Sequence, residues 1–133
     1  MKRNYDIALL VIRVSVGLML LLHGVAKLAD GLHGLKGMLA SMGLPEFFAY
    51  GALMGEVVAP LLLIVGYLTR PAAAVIAFNM LVAVAMAHGT AIFSLTPMGG
   101  WVIELPMLFF FPTLALVFSG AGKYAVSSRT CLD

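Results

Sequence analysis

Charged side chains are scarce in this sequence. Eight Lys and Arg and six Asp and Glu amount to 11% of 133 residues, whereas 62% are hydrophobic. An ordinary soluble domain is about a quarter charged and about half apolar. A soluble chain of this length lacks the interior volume to hide so much apolar side chain, so lipid must be part of the solvent. The net charge of +2 is small and scattered, which excludes the basic face that a nucleic-acid partner requires. Cysteine is almost missing. Cys131 is the single one, so no intrachain disulfide and no C-x-x-C dithiol can form. If the protein works in a thiol pathway, the reactive sulfurs belong to another molecule. Ser and Thr show no nucleophile elbow or triad logic, and neither a glycine-rich phosphate loop nor an acidic metal cluster is present. The nine Met are spread over the whole chain, as packing residues rather than a copper-binding array.

What the sequence does have is long apolar runs. Four can be marked: from Ile7 to about Leu28, Phe47 to Leu68, Pro71 to His88 and Trp101 to about Ser119. Each has roughly 18–22 residues, enough to cross a hydrocarbon core of about 30 Å. Thr69-Arg70-Pro71 makes a polar turn with Pro71 at a helix start, where its missing N–H costs nothing. Pro97, Gly99 and Gly100 form the next connection, and Trp101, Tyr5, Tyr67 and Tyr124 fall near span ends, as interfacial aromatic residues do. Lys2 and Arg3 before an apolar run resemble a signal peptide. Arg13 interrupts the run and no A-x-A site follows, so the run is expected to stay as a helix. Lys2, Arg3, Arg70, Lys123 and Arg129 fall on the side of the two termini, against Lys27 and Lys36 opposite. The positive-inside rule then places both ends in the cytoplasm. The expected fold is an all-α integral membrane protein, a single domain of four transmembrane helices with N-in/C-in topology.

The connection from Ala29 to Glu46 is too long for a turn. Leu35, Met38, Leu39 and Met42 recur on one helical face, Gly43 suits a C-terminal cap and Pro45 prevents continuation. A short amphipathic helix is expected here, lying on the membrane surface or folded over the mouth of the bundle.

The informative residues are the polar ones within the spans: Arg13, His23, Lys27, Glu56, Asn79, His88 and Glu104. A charge at mid-bilayer costs at least ~2.5–3.5 kcal/mol on insertion scales, so each needs a partner or a purpose. With alternating helix directions, His23, Lys27, His88 and Glu104 gather in the outer half. Glu56 lies ~14 Å below the outer end of its helix, and Arg13 lies lower still. Arg13, Gly17, Leu20, Gly24 and Lys27 form one narrow stripe, and its two glycines would admit a second helix at close range. Depth suggests that Arg13 pairs with Glu56, and Lys27 with Glu104. Asn79 reads as an interhelical hydrogen-bonder. A bundle can use such pairs simply as packing glue. Four titratable groups from three helices in one layer, His23, Lys27, His88 and Glu104, instead suggest a ligand site, with Glu56 beneath them as a fifth candidate. His23 and His88 could ligate a haem axially, but two histidines are a slender basis for that. Pro60, Pro106 and Pro112 are expected to kink the second and fourth helices and open space between them.

These motifs together resemble the DoxX family: Arg13-(x3)-Gly17-(x5)-His23-Gly24-(x2)-Lys27, then Met42-Gly43-Leu44-Pro45, then Glu56 ahead of Gly66-Tyr67-Leu68-Thr69-Arg70. His88, Gly99-Gly100 with Glu104, and the tail Gly120-Ala121-Gly122-Lys123-Tyr124 continue the likeness, with Ala121 and Ala125 departing from the usual Gly-Pro-Gly-Arg/Lys-Tyr-Ser. The resemblance implies a four-helix bacterial inner-membrane protein. The family takes its name from a membrane subunit of an archaeal thiosulfate:quinone oxidoreductase, and relatives are linked to quinone, catechol and oxidative stress. A redox-associated subunit binding a quinone or small phenolic ligand in the outer half is therefore the first expectation. Its electrons would come from a partner or bound cofactor, because the chain has no dithiol, flavin or haem motif. The alternatives are a non-enzymatic anchor or assembly partner, and a small oligomeric carrier. Expected partners are the bilayer and either further copies of the chain or a redox subunit.

Overall fold

The computed structural model describes residues 4–87, 93–127 and 132–133. His88, Cys131 and the basic residues Lys2, Arg3 and Arg129 lie outside these. The described chain is all-helical, with one isolated bridge between Leu95 and Trp101 and no strand. In order, the elements are α1 (Tyr5–Ala29), α2 (His33–Ser41), α3 (Phe48–Leu53), a π-helical turn (Met54–Val58), α4 (Ala59–Val65), α5 (Thr69–Ala87) and α6 (Glu104–Ser119). The α3, π and α4 segments run on as one rod. Three helical stretches, Tyr5–Ala29, Phe48–Val65 and Thr69–Met86, are long and apolar enough to cross a membrane. The last helix, α6, is apolar but has only 16 residues, fewer than the fourth run in the sequence led one to expect. Its first turn is delayed to Glu104 because Thr96–Gly100 closes a tight loop, in which the Gly99 N–H donates to the Thr96 carbonyl at 2.9 Å.

Each boundary has a local cause. The Asn4 side chain accepts from the Ile7 N–H at the start of α1, with Asp6 in the first turn and Lys27 in the last, matching the helix dipole at both ends. α2 forms where the Leu35–Met42 periodicity places it. It closes with Gly43 at a φ of +73°, the Leu44 N–H donating to Leu39 and the Gly43 N–H to Ala40, a Schellman cap. Only part of its expected apolar face is covered: Leu39 packs with Leu32 and Ala49, flanked by Leu35, Leu53 and Met86, while Met38 and Met42 remain exposed. Gly66 ends α4 at a φ of +78°, and Pro71 falls in the first turn of α5.

The π turn precedes Pro60. A proline has no N–H for the carbonyl four residues earlier, here that of Glu56, and its ring crowds that carbonyl. Widening the turn accommodates both effects and is a common feature near functional sites. Against this widened segment α1 packs through bare backbone. A Cβ on Gly24 would collide with the Glu56 carbonyl, and one on Gly17 would come within 2.6 Å of Ile64 and 3.1 Å of the Pro60 carbonyl. Arg13, next along the stripe, packs on Gly66. The two rods thus run antiparallel in a register fixed by the glycines. In the core beside them, Leu20, Leu63 and Ile76 meet Phe109 and Leu116, with Ala72 and Ala73 keeping α5 close to α4.

The outer surface is apolar. Leu22, Phe78 and Phe118 are 71%, 69% and 76% exposed, which water would penalise and acyl chains would not. The exposed Tyr5, Tyr67 and Tyr124 belong to one end of the molecule, as an interfacial belt requires.

The glycine register yields a first prediction. Gly24→Ala should destabilise the protein by about 1–3 kcal/mol, the usual cost of overpacking where the obstacle is backbone. Gly37→Ala, whose Cβ would meet nothing within 4 Å, should be neutral or stabilising. Thermal unfolding in detergent checks both, and equal Tm values would contradict the register.

Candidate functional site

The site is built around Glu56. Its side chain is buried at the π turn, and Lys27 reaches it from the last turn of α1, with Nζ 2.7 Å from Oε1. Asn79 of α5 donates from Nδ2 to the same oxygen at 3.4 Å. Asn79 can approach because Gly55 has no side chain: a Cβ there would lie 2.7 Å from the Asn79 Cγ. Three rods therefore meet on one carboxylate. Both neighbours use Oε1, and Oε2 is buried with no partner among the described residues. A carboxylate has about four acceptor positions, so Glu56 retains acceptor capacity.

The pairing differs from the one that depth in the sequence suggested. Arg13 does not meet Glu56. It is buried ten residues away along the partner rod, about 15 Å at 1.5 Å per residue, where its Nη2 donates to the Tyr124 carbonyl. The cause is the register: with Gly24 seated on Glu56 and Gly17 on Pro60, Arg13 falls at Gly66. The chain then folds its tail over that end. The Lys123 N–H donates to Asp6, the Val126 N–H to the Val65 carbonyl, and the Ser127 N–H to Gly66. Lys27 pairs with Glu56 instead of Glu104. Glu104 sits exposed at the start of α6, its carboxylate bent over the Thr96–Gly100 loop. His23 is exposed and touches the Phe109 ring edge-on, with centroids 5.9 Å apart. His88 falls outside the described residues.

Two hollows flank the carboxylate. The larger, of about 390 Å³, lies between α3 and α5 beneath α2, with Leu39, Phe48, Phe78, Val82 and Met86 in its walls. Glu56 and Asn79 are the polar side chains among its described lining residues. Its size is that of a small-ligand site. Phe48, Val75, Phe78 and Val82 are also exposed on the outer face, so the hollow opens sideways through the apolar surface. Lys36 lies 5.6 Å above the Tyr50 ring and helps hold α2 over α3. A second recess, of about 130 Å³, lies between α1, α5 and α6 and is bordered by His23, Phe109 and again Glu56. Glu56 forms part of both walls. Among the described residues no group of three or more His, Cys, Asp or Glu converges as a metal site would need.

Sequence reasoning identified Glu56, Lys27 and Asn79 but not the hollow or the role of Gly55. A signal for the local distortion was present: a proline four residues after a buried glutamate strips that carbonyl of its helical donor.

Apolar helices of crossing length around a buried ion pair define a membrane protein. The comparisons specify the family: the DoxX model matches residues 8–89, and the chain belongs to the DoxX family. An "Uncharacterized protein" of Haemophilus influenzae is 33% identical over 131 residues, covering 96% of this chain and 92% of that one. A protein of Bacillus subtilis named "Putative oxidoreductase CatD" is 30% identical over 84 residues, 63% of this chain and 62% of its own length. No solved structure matches the chain.

The ion pair sets the second prediction. Lys27→Ala should cost about 1–3 kcal/mol, because it takes the counter-charge from a buried carboxylate while Lys27 itself is partly exposed. Lys27→Ala combined with Glu56→Gln should recover much of that loss. Unfolding of the four proteins of this double-mutant cycle measures the coupling, and additive effects would show that the pair contributes nothing.

Proposed function

We propose that this protein is a redox-associated inner-membrane subunit that binds a quinone or small phenolic molecule in the hollow beside Glu56. The observation that carries the reading is the buried Glu56 Oε2, without a partner among the described residues, in a wall whose one other polar side chain among them is Asn79. An apolar ring with one or two polar oxygens has the chemistry to complement it. The distant likeness to a protein named "Putative oxidoreductase CatD" favours redox work over a bare anchor or a carrier. Glu56 would take up or release a proton as the ligand changes oxidation state, and His23, across the second recess, is the next titratable group along that wall. Lys27 holds the carboxylate in place. Electrons would have to pass to a partner subunit. His88 and Glu104 stay as candidates for the outer rim.

The same reading gives α6 a membrane role. At about 1.5 Å per residue it spans ~24 Å, somewhat less than a core of about 30 Å, and it packs against α5 along the buried faces of Phe109 and Leu116. With α6 as a fourth crossing the chain is a single multi-pass domain, with Arg70 and Lys123 on the cytoplasmic side and Lys36 outside. A green fluorescent protein fused after Asp133 should therefore fluoresce, and alkaline phosphatase inserted after Gly37 should be active. The opposite pattern would invert the topology.

Ligand binding is tested on detergent-extracted protein with a short-chain ubiquinone analogue in both oxidation states. Binding is expected for wild type, with at least about tenfold weaker affinity for Ala83→Phe, a lining position where the larger side chain takes up room in the hollow. Absence of binding in either oxidation state, together with co-purification of a constant partner, would favour the anchor reading instead.

A further inference from the structure

We infer that the hollow takes an electrically neutral ligand that donates a hydrogen bond, which in the terms of the proposed function is the reduced, hydroxyl-bearing form, drawn from the lipid phase. The inference rests on that function and adds which oxidation state the site prefers and how the ligand arrives.

Charge comes first. Lys27 and Glu56 form an ion pair at 2.7 Å, so the carboxylate in the wall already has its counter-charge behind it. An ammonium ligand would bring a second cation to Lys27, and a carboxylate or phosphate would bring a second anion to Glu56. In a site of low dielectric either repulsion is strong. A neutral molecule meets neither.

Hydrogen bonding comes next. Glu56 Oε1 already accepts from Lys27 and Asn79, and the unsatisfied atom is Oε2, an acceptor. Lys27 is absent from the lining of the hollow, so its ammonium serves the carboxylate from behind and does not reach a ligand carbonyl across the cavity. A phenolic O–H supplies what Oε2 lacks, and its bond to a charged acceptor is of the stronger kind. A quinone carbonyl can only accept: the second N–H of Asn79 in the wall can serve it, but Oε2 is left as it is.

Access completes the argument. The hollow is roofed by α2 and opens between α3 and α5, where Phe78 and Val82 are both lining and exposed. A ligand with an apolar tail can lodge its ring at Glu56 and leave the tail among acyl chains.

The test uses full-length protein in lipid nanodiscs under anaerobic conditions, with binding read by calorimetry. The probes are decyl-ubiquinol, decyl-ubiquinone and the di-O-methyl ether of the quinol. The ether keeps ring and tail but has no O–H. The quinol should bind about tenfold or more tighter than either other probe. Decylamine and decanoate should bind weaker than 4-decylphenol by a similar factor. Equal or tighter binding of the quinone, the ether or a charged probe overturns the inference and leaves the proposed function standing. Failure of all six probes overturns both. In Glu56→Gln, whose amide both donates and accepts, the preference for quinol should vanish; full retention in a folded variant would also overturn the inference. The wild-type comparisons stand even where that variant does not fold.

Discussion

A carboxylate buried among apolar helices has to be paired before the chain can insert and pack, and Glu56 is where this protein meets that requirement. Lys27 and Asn79 converge on one of its oxygens from two other helices. Each approach depends on a glycine. Gly24 brings α1 onto the Glu56 backbone, and Gly55 lets Asn79 reach the Glu56 side chain. The ion pair, the antiparallel register and the close contact of three rods are consequences of the same local geometry. Small residues matter more here than in a soluble core, because lipid is as apolar as leucine and supplies no hydrophobic drive between helices.

Pro60 connects this packing to chemistry. By denying the Glu56 carbonyl its helical donor it widens the rod into a π turn. That carbonyl then faces the bare Cα of Gly24, and the carboxylate borders two hollows. A regular helix with an alanine at 24 could hold the same residues in sequence and lack the site.

Hydrophobic runs, prolines and cap glycines made the helices legible in the sequence, and α2 with its Gly43 cap lies where periodicity located it. Among the polar residues within the spans, Lys27, Glu56 and Asn79 meet, whereas Glu104 lies by Gly100 and His88 is outside the described residues. The pairings expected from depth did not form. Counting depth from the apparent span ends assumes that every helix starts in one plane, and that assumption paired Arg13 with Glu56. The real register is set by glycine contacts: Gly24 sits at Glu56, and Arg13 is displaced by about three turns, ten residues along the rod. The hollow was illegible for another reason. It is a gap between α3 and α5 covered by α2, and no periodicity in one helix reports the space beside it. A length of 16 residues for α6 likewise depends on the Thr96–Gly100 loop, which closes through hydrogen bonds rather than hydropathy.

Arg13 and Lys27 lie on one stripe of one helix, yet their charges are handled by different means. Lys27 has a carboxylate, so the two charges offset each other. Arg13 has a backbone carbonyl at Tyr124, with Nε and Nη1 lacking partners among the described residues. Its burial therefore depends on the tail lying across it, held by Asp6, Val65 and Gly66. A carbonyl offers less to a cation than a carboxylate does, so this end is held by several modest bonds and the Glu56 end by one strong pair. The two ends of α1 consequently answer to different perturbations: loss of the tail contacts should loosen the Arg13 end while the hollow keeps its shape, and loss of Lys27 should do the reverse.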